Sequence, residues 1–111
     1  MVVLVITRFR DGGDGPVEDG SLRTDLEQAL AVLSAQKGFR DGRIGRNVDD
    51  PTLWVLQTTW DGPGAYRRAL SAYDVKLHAW TTLGRAIDEP SAYELLKPGD
   101  SANRAEPRQN R

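Results

Sequence analysis

Two short apolar runs constrain the fold more than any other feature. Val2–Ile6 has no polar break and is dominated by β-branched residues. Leu53–Leu56 opens a second run, which closes at Trp60. Runs this short and continuous read as strands with both faces buried, because a half-exposed strand alternates apolar and polar side chains. The segments around them fill in the order. Asp11–Gly20 is a loop by composition. Ser21 is placed to cap a helix on which Leu22, Leu26, Ala29, Leu30 and Leu33 share a stripe, and Gly38 ends it. Phe39–Val48 is a second strand, weakened by Gly42 and Gly45. Asp49-Asp50-Pro51 turns it back onto Leu53–Trp60 as a hairpin.

Asp61 as cap and Pro63 in the first turn start another helix, carried by Ala65, Ala69 and Leu70. The pattern breaks over Ala72–Asp74. Asp74 then caps a further helix with Val75, Ala79, Leu83 and Ala86 on one stripe. Pro90 forbids continuation, and Ser91–Leu96 is a fourth strand. The order β-α-β-β-α-β is an α+β, ferredoxin-like unit with an antiparallel sheet. In that unit the first and third strands are central, and these are the two with unbroken apolar runs. The helices cover one sheet face only. The other, if apolar, needs a second cover, most simply the same face of a second copy, which predicts a homodimer. Residues 1–96 form this domain. Lys97–Arg111 has two prolines, a glycine and no large apolar residue, and is expected to be a disordered tail.

Composition narrows the chemistry. The 111 residues carry 15 Lys and Arg against 16 Asp and Glu, a formal charge of −1, which argues against nucleic acid as a partner. There is no cysteine, which excludes disulfides, thiolate metal sites and a Cys nucleophile. The single histidine, His78, cannot build a multi-histidine metal site within one subunit. No apolar run is long enough to span a membrane, and the N-terminus lacks signal-peptide features, so a cytoplasmic location is expected. Gly12-Gly13-Asp14-Gly15 follows a strand but misses the dinucleotide-binding spacing, and its acidic neighbours would repel a pyrophosphate.

The start VVLVITRF, Lys37-Gly38-Phe39, Asp49-Asp50-Pro51, the run TTWDGPGAYRRAL and the closing EPSAYELL together resemble antibiotic biosynthesis monooxygenase (ABM) domains. The resemblance covers roughly residues 2–96. It implies a dimeric α+β barrel. The family includes cofactor-free oxygenases of polyketide quinone pathways and haem-degrading enzymes. The first implies a small aromatic, anthrone-like or quinol substrate and dioxygen, with no cofactor. A base removes a proton, the resulting anion passes an electron to dioxygen, and the protein supplies a dry cavity.

Candidate parts for such a site are Trp60, Trp80 and Tyr73 as aromatic walls, with Thr7 at the end of the first strand. His78 or Tyr66 is the candidate base, and Arg85 or Arg8 would hold an oxyanion. His78, Thr81, Thr82 and Arg85 fall on one helical stripe, either a polar pocket wall or a solvated face. Bland roles stand beside these. Trp54 and Leu56 belong in the core, Trp60 in the core or at a pocket rim, and Arg8 and Arg10 in ion pairs with Glu94 or Asp88. Haem is the alternative cofactor. Counting without gaps from Trp60, His78 falls where haem-degrading relatives place their iron ligand. Those relatives, however, carry Asn where this chain has Thr7, and Trp where it has Ala69. A non-enzymatic binder of a hydrophobic metabolite is the remaining alternative.

Overall fold

The computed structural model describes residues 1–11 and 21–102. The elements are β1 (Val3–Arg10), α1 (Ser21–Ser34), β2 (Phe39–Arg46), β3 (Leu53–Trp60), α2 (Pro63–Leu70), α3 (Tyr73–His78), α4 (Trp80–Leu83) and β4 (Ala92–Glu94). The strands form one antiparallel sheet in the order β2-β3-β1-β4, with the two apolar-run strands in the centre. This is the ferredoxin-like α+β arrangement.

Register decides which side chains meet. Val3 lies opposite Trp60, Val5 opposite Thr58, Thr7 opposite Leu56 and Phe9 opposite Trp54. These eight residues share one face, since alternate strand residues point the same way. Seven of the eight are buried and Thr7 is half-buried. Leu22, Leu26, Ala29 and Leu33 of α1 close over them, with Ala65 and Ala69 of α2, Val75 of α3 and Ala79. Trp60 is fully buried at the centre. Its indole meets Phe39 edge to face at 5.3 Å and Tyr66 at 5.7 Å, and its Nε1 donates to Thr58 Oγ1 at 2.9 Å. The hydroxyl of Thr58 thus satisfies a donor that has no water to turn to.

Three expectations need adjusting. The helix foreseen from Asp74 to Ala86 is two short pieces, because Ala79 leaves helical geometry (φ −127°, ψ −25°). The α2 cap is Gly62 rather than Asp61. The Asp61 carboxylate accepts a bond from Arg40 Nε at 2.7 Å instead, while its backbone N–H donates to the Gly38 carbonyl. Strands β2 and β4 are shorter than read, ending at Arg46 and spanning Ala92–Glu94. Lys97–Ala102 contains a turn at Pro98-Gly99, tied by Asp100 Oδ2 to the Lys97 N–H. The rest of the expected tail, 103–111, and most of the loop read at 11–20 lie outside the described residues.

Gly38 (φ +91°) sits at the α1–β2 junction, where a side chain would be strained. A Cβ there would also come within 2.5 Å of the Ala65 Cβ, so the α2 start can lie this close only over glycine. On the opposite sheet face, Leu4, Ile6, Val55, Gln57 and Thr59 lie on the two central strands, half-buried. The helix residues of the core close over the other face, with Val3, Val5, Phe9, Trp54, Leu56 and Trp60. No described helix is long and apolar enough to cross a membrane.

Candidate active site

The free edge of β1 is covered in two places with a gap between them. At one end β4 pairs with Val3–Val5, and Ile6 N donates to the Ser91 carbonyl at 2.8 Å. At the other, Ile87 N donates to the Arg8 carbonyl at 2.8 Å, and Phe9 bridges to Ala86. Between them Asp88–Pro90 bends without pairing, and Pro90 has no N–H to offer a ladder. A cleft of about 220 Å³ opens over this stretch of β1. Thr7 lies on its sheet side, Tyr66 and Leu70 come from α2, Leu83 from α4, and Glu89 and Ser91 from the bend.

The polar groups of this wall have distinct states. Tyr66 is half-buried, and the loss of solvent around it pushes its phenol above the ordinary tyrosine range; a hydrogen bond with the Ser91 side chain opposes this only in part. At neutral pH it is therefore an O–H donor. Glu89 accepts two bonds from Arg8, Nε to Oε2 at 2.7 Å and Nη2 to Oε1 at 2.6 Å. That paired geometry holds the Glu89 carboxyl below its ordinary range, and it remains a carboxylate. The cleft thus joins a neutral phenol and the hydroxyl residues Thr7 and Ser91 with mostly apolar walls, while the Glu89 carboxylate is engaged by Arg8, which lines a different depression. It can orient a small ligand through a few hydrogen bonds and bury the rest of it, the usual form of a small-molecule site.

Of the residues read as site candidates, Thr7 and Tyr66 come together here. Trp60 does not line the cleft. Its fully buried indole packs behind Tyr66 and sets that ring's position. His78 lies elsewhere, exposed, in a shallow groove between α1 and α3 beside Asp74 and Gln36. Arg85 pairs with Asp25 of α1 at 3.3 Å. Tyr73 is 75% exposed. Trp80 is half-exposed; its Nε1 donates to the Leu70 carbonyl at 2.9 Å and Lys76 Nζ stands 5.2 Å from the ring. The stripe from His78 to Arg85 is cut by the break at Ala79, and of its four members only Thr82 is buried. The strand-end ion pairs form with Glu89 for Arg8 and Asp50 for Arg10.

Glu89 and Ser91 escaped the sequence reading. The signal in Asp88-Glu89-Pro90-Ser91 is a proline that interrupts pairing next to a carboxylate and a hydroxyl. Among the described residues no group of three or more His, Cys, Asp or Glu side chains could hold a metal ion.

No family model and no curated protein matches the chain. Solved structures do. SnoaB, a cofactor-independent oxygenase from Streptomyces nogalater, superimposes with a TM-score of 0.70 at 21% identity, covering 90% of this chain and 98% of that one. A variant of SnoaB superimposes at 0.73 and 20% identity, with the same coverage. Rv0793 from Mycobacterium tuberculosis gives 0.67 at 18% identity over 90% and 100% of the two chains. A protein from Deinococcus radiodurans provisionally named an antibiotic biosynthesis monooxygenase gives 0.68 at 16%, over 93% and 100%. At these identities the likeness establishes a shared fold, that of structures bearing the ABM name.

Proposed function

We propose that this chain is a cofactor-independent monooxygenase that oxidises a small aromatic or quinol-type molecule with dioxygen in the cleft over β1. One observation carries the reading: a half-buried, neutral phenol, Tyr66, stands in the wall of a largely apolar cleft, on a fold shared over 90% of the chain with a cofactor-independent oxygenase. The reaction asks little of the protein. An electron-rich phenol or anthrone gives up a proton to solvent, its anion reduces dioxygen by one electron, and the two radicals combine and take up a proton as the hydroperoxide. Loss of water from the resulting hydroperoxide leaves a carbonyl.

The residues of the cleft match two of those demands, a dry wall and donors for an oxyanion. Leu70 and Leu83 exclude water from a reactive anion. The Tyr66 O–H and the hydroxyls of Thr7 and Ser91 are donors for negative charge developing on oxygen, the task first expected of Arg85. Tyr66 acts as a donor and not as the base, since its burial favours the protonated form. A haem ligated by His78 does not fit. That side chain is exposed in an open groove beside Asp74, away from the cleft.

The sheet face bearing Leu4, Ile6 and Val55 is proposed to pack on the same face of a second copy. Light scattering is expected to give about twice the 12.3 kDa chain mass at micromolar concentration, and a monomer overturns the dimer. The activity is tested by oxygen consumption with a panel of anthrones and hydroquinones, using chelator-treated protein. Sustained uptake is expected, and no uptake across the panel overturns the reading. A protein that binds panel members tightly without turnover is a binder of hydrophobic metabolites instead.

A further inference from the structure

We propose that the outer face of α3 and the start of α4 form a surface for an anionic lipid bilayer. Tyr73, Leu77 and Trp80 enter the interface, and Lys76, Arg67 and Arg68 meet its headgroups. None of these six residues lines the cleft, so the surface stands or falls independently of the chemistry proposed there.

The face follows from one helix of two short turns. In α3, Val75 is fully buried in the core. At about 3.6 residues per turn, Tyr73, Lys76 and Leu77 lie on the side opposite Val75. Asp74 and His78 turn instead toward α1, where they line a shallow groove with Ala31 and Gln36. Tyr73 is 75% exposed, Leu77 58% and Trp80 50%. Tyr73 and Leu77 are neighbours at i and i+4. Trp80 joins them through Lys76, whose Nζ stands over its ring at 5.2 Å. The Trp80 Nε1 donates to the Leu70 carbonyl at 2.9 Å. The rest of that indole is hydrocarbon and can leave water without orphaning a donor.

Charge says what kind of partner fits. Arg67 and Arg68 occupy the last turn of α2, the end that holds the Trp80 indole. Arg67, Arg68 and Lys76 form no ion pair among the described residues, whereas Arg8, Arg10, Arg23, Arg40, Arg43 and Arg85 all do. Three uncompensated cations beside an apolar patch call for an anionic surface. Size then separates a lipid surface from an acidic protein. The three apolar side chains expose on the order of 400 Å² together. That is about half of the roughly 800 Å² each partner contributes to a standard protein interface. A bilayer sets no such threshold, because each inserted side chain and each cation adds its own contribution. Aromatic rings flanked by Lys and Arg are also the side chains that sit well at a lipid–water boundary.

The test is sedimentation of the full chain at low salt with vesicles of phosphatidylcholine alone, and of phosphatidylcholine mixed with phosphatidylglycerol. Binding to the anionic vesicles is expected to be at least about tenfold tighter than to the neutral ones. Tryptophan fluorescence reads the same event locally. Of the three tryptophans, Trp54 and Trp60 are buried, so a blue shift on binding reports Trp80 entering the interface, and Trp80→Phe is expected to abolish it. Leu77→Ser and Lys76→Glu change exposed side chains outside the core. Each is expected to weaken binding about tenfold or more, with the urea unfolding midpoint little changed. No binding to anionic vesicles, or equal binding to both kinds, overturns the proposal. Binding that neither variant weakens, or that brings no blue shift, also overturns it, since another surface is then responsible. Binding to poly-L-glutamate without binding to vesicles overturns it in favour of an acidic protein.

Discussion

Replacing Thr58 by valine keeps the shape of a core side chain and removes one acceptor. Thr58 is 3% exposed and Trp60 fully buried, and the bond from Trp60 Nε1 to Thr58 Oγ1 is 2.9 Å long. In Thr58→Val the indole N–H has neither a protein partner nor water. Leaving a buried donor unpaired costs about 1–3 kcal/mol, and the added methyl group offsets part of that by burying more apolar area. A net loss of about 1–2 kcal/mol is expected, which for a domain near 100 residues lowers Tm by about 4–15 °C. Urea unfolding followed by circular dichroism measures it, and a Trp60→Phe background isolates the cause. Phenylalanine has no N–H to orphan, so Thr58→Val is then expected to be nearly neutral. Equal cost in both backgrounds, within about 0.3 kcal/mol, refutes the reasoning. The variant also bears on the cleft, because Trp60 packs behind Tyr66.

Two further outcomes are expected. Gly38→Ala combines a left-handed backbone at φ +91° with a Cβ at 2.5 Å from that of Ala65, and is expected to cost about 2–4 kcal/mol in urea unfolding. Ala65→Gly relieves the contact but not the strain, so it restores only part of the loss. The folded-state value of the Tyr66 phenol lies above its unfolded value, so the fold favours the protonated form. That stabilisation is fully present below the ordinary tyrosine range and is lost as pH rises through the folded value. An absorbance titration of phenolate is expected to show an ionisation above the ordinary range that Tyr66→Phe removes.

The fold was legible where a short-range pattern and the topology demand the same thing. β3 was read to its exact ends because LWVLQTTW puts Trp54, Leu56, Thr58 and Trp60 on one face, and the structure buries that face. The break at Ala79 was not legible. Val75, Ala79, Leu83 and Ala86 continue a helical period across it, so the sequence carries no local mark of the turn in direction. That break is also why a stripe from His78 to Arg85 does not form. Those two residues face α1 from separate pieces of chain, whereas a single helix would have placed them together. Tyr66 lies in the first turns of α2, directly after a central strand, and its ring meets Trp60 at that strand's end. Glu89 and Ser91 gain their place only when the chain returns to the edge of β1, a contact some 80 residues apart that no periodicity records.

The central claim is that the cleft beside Tyr66 is where dioxygen reacts. The most direct measurement is steady-state oxygen uptake by wild type and Tyr66→Phe, with whichever anthrone or hydroquinone of the panel turns over fastest. Phenylalanine keeps the ring against Trp60 and removes only the donor hydroxyl. Loss of one donor to a developing oxyanion lowers kcat by about 10²-fold or more where the bond forms mainly in the transition state. The account predicts a fall of that order with KM changed by less than about threefold. Turnover by Tyr66→Phe at the wild-type rate would contradict it.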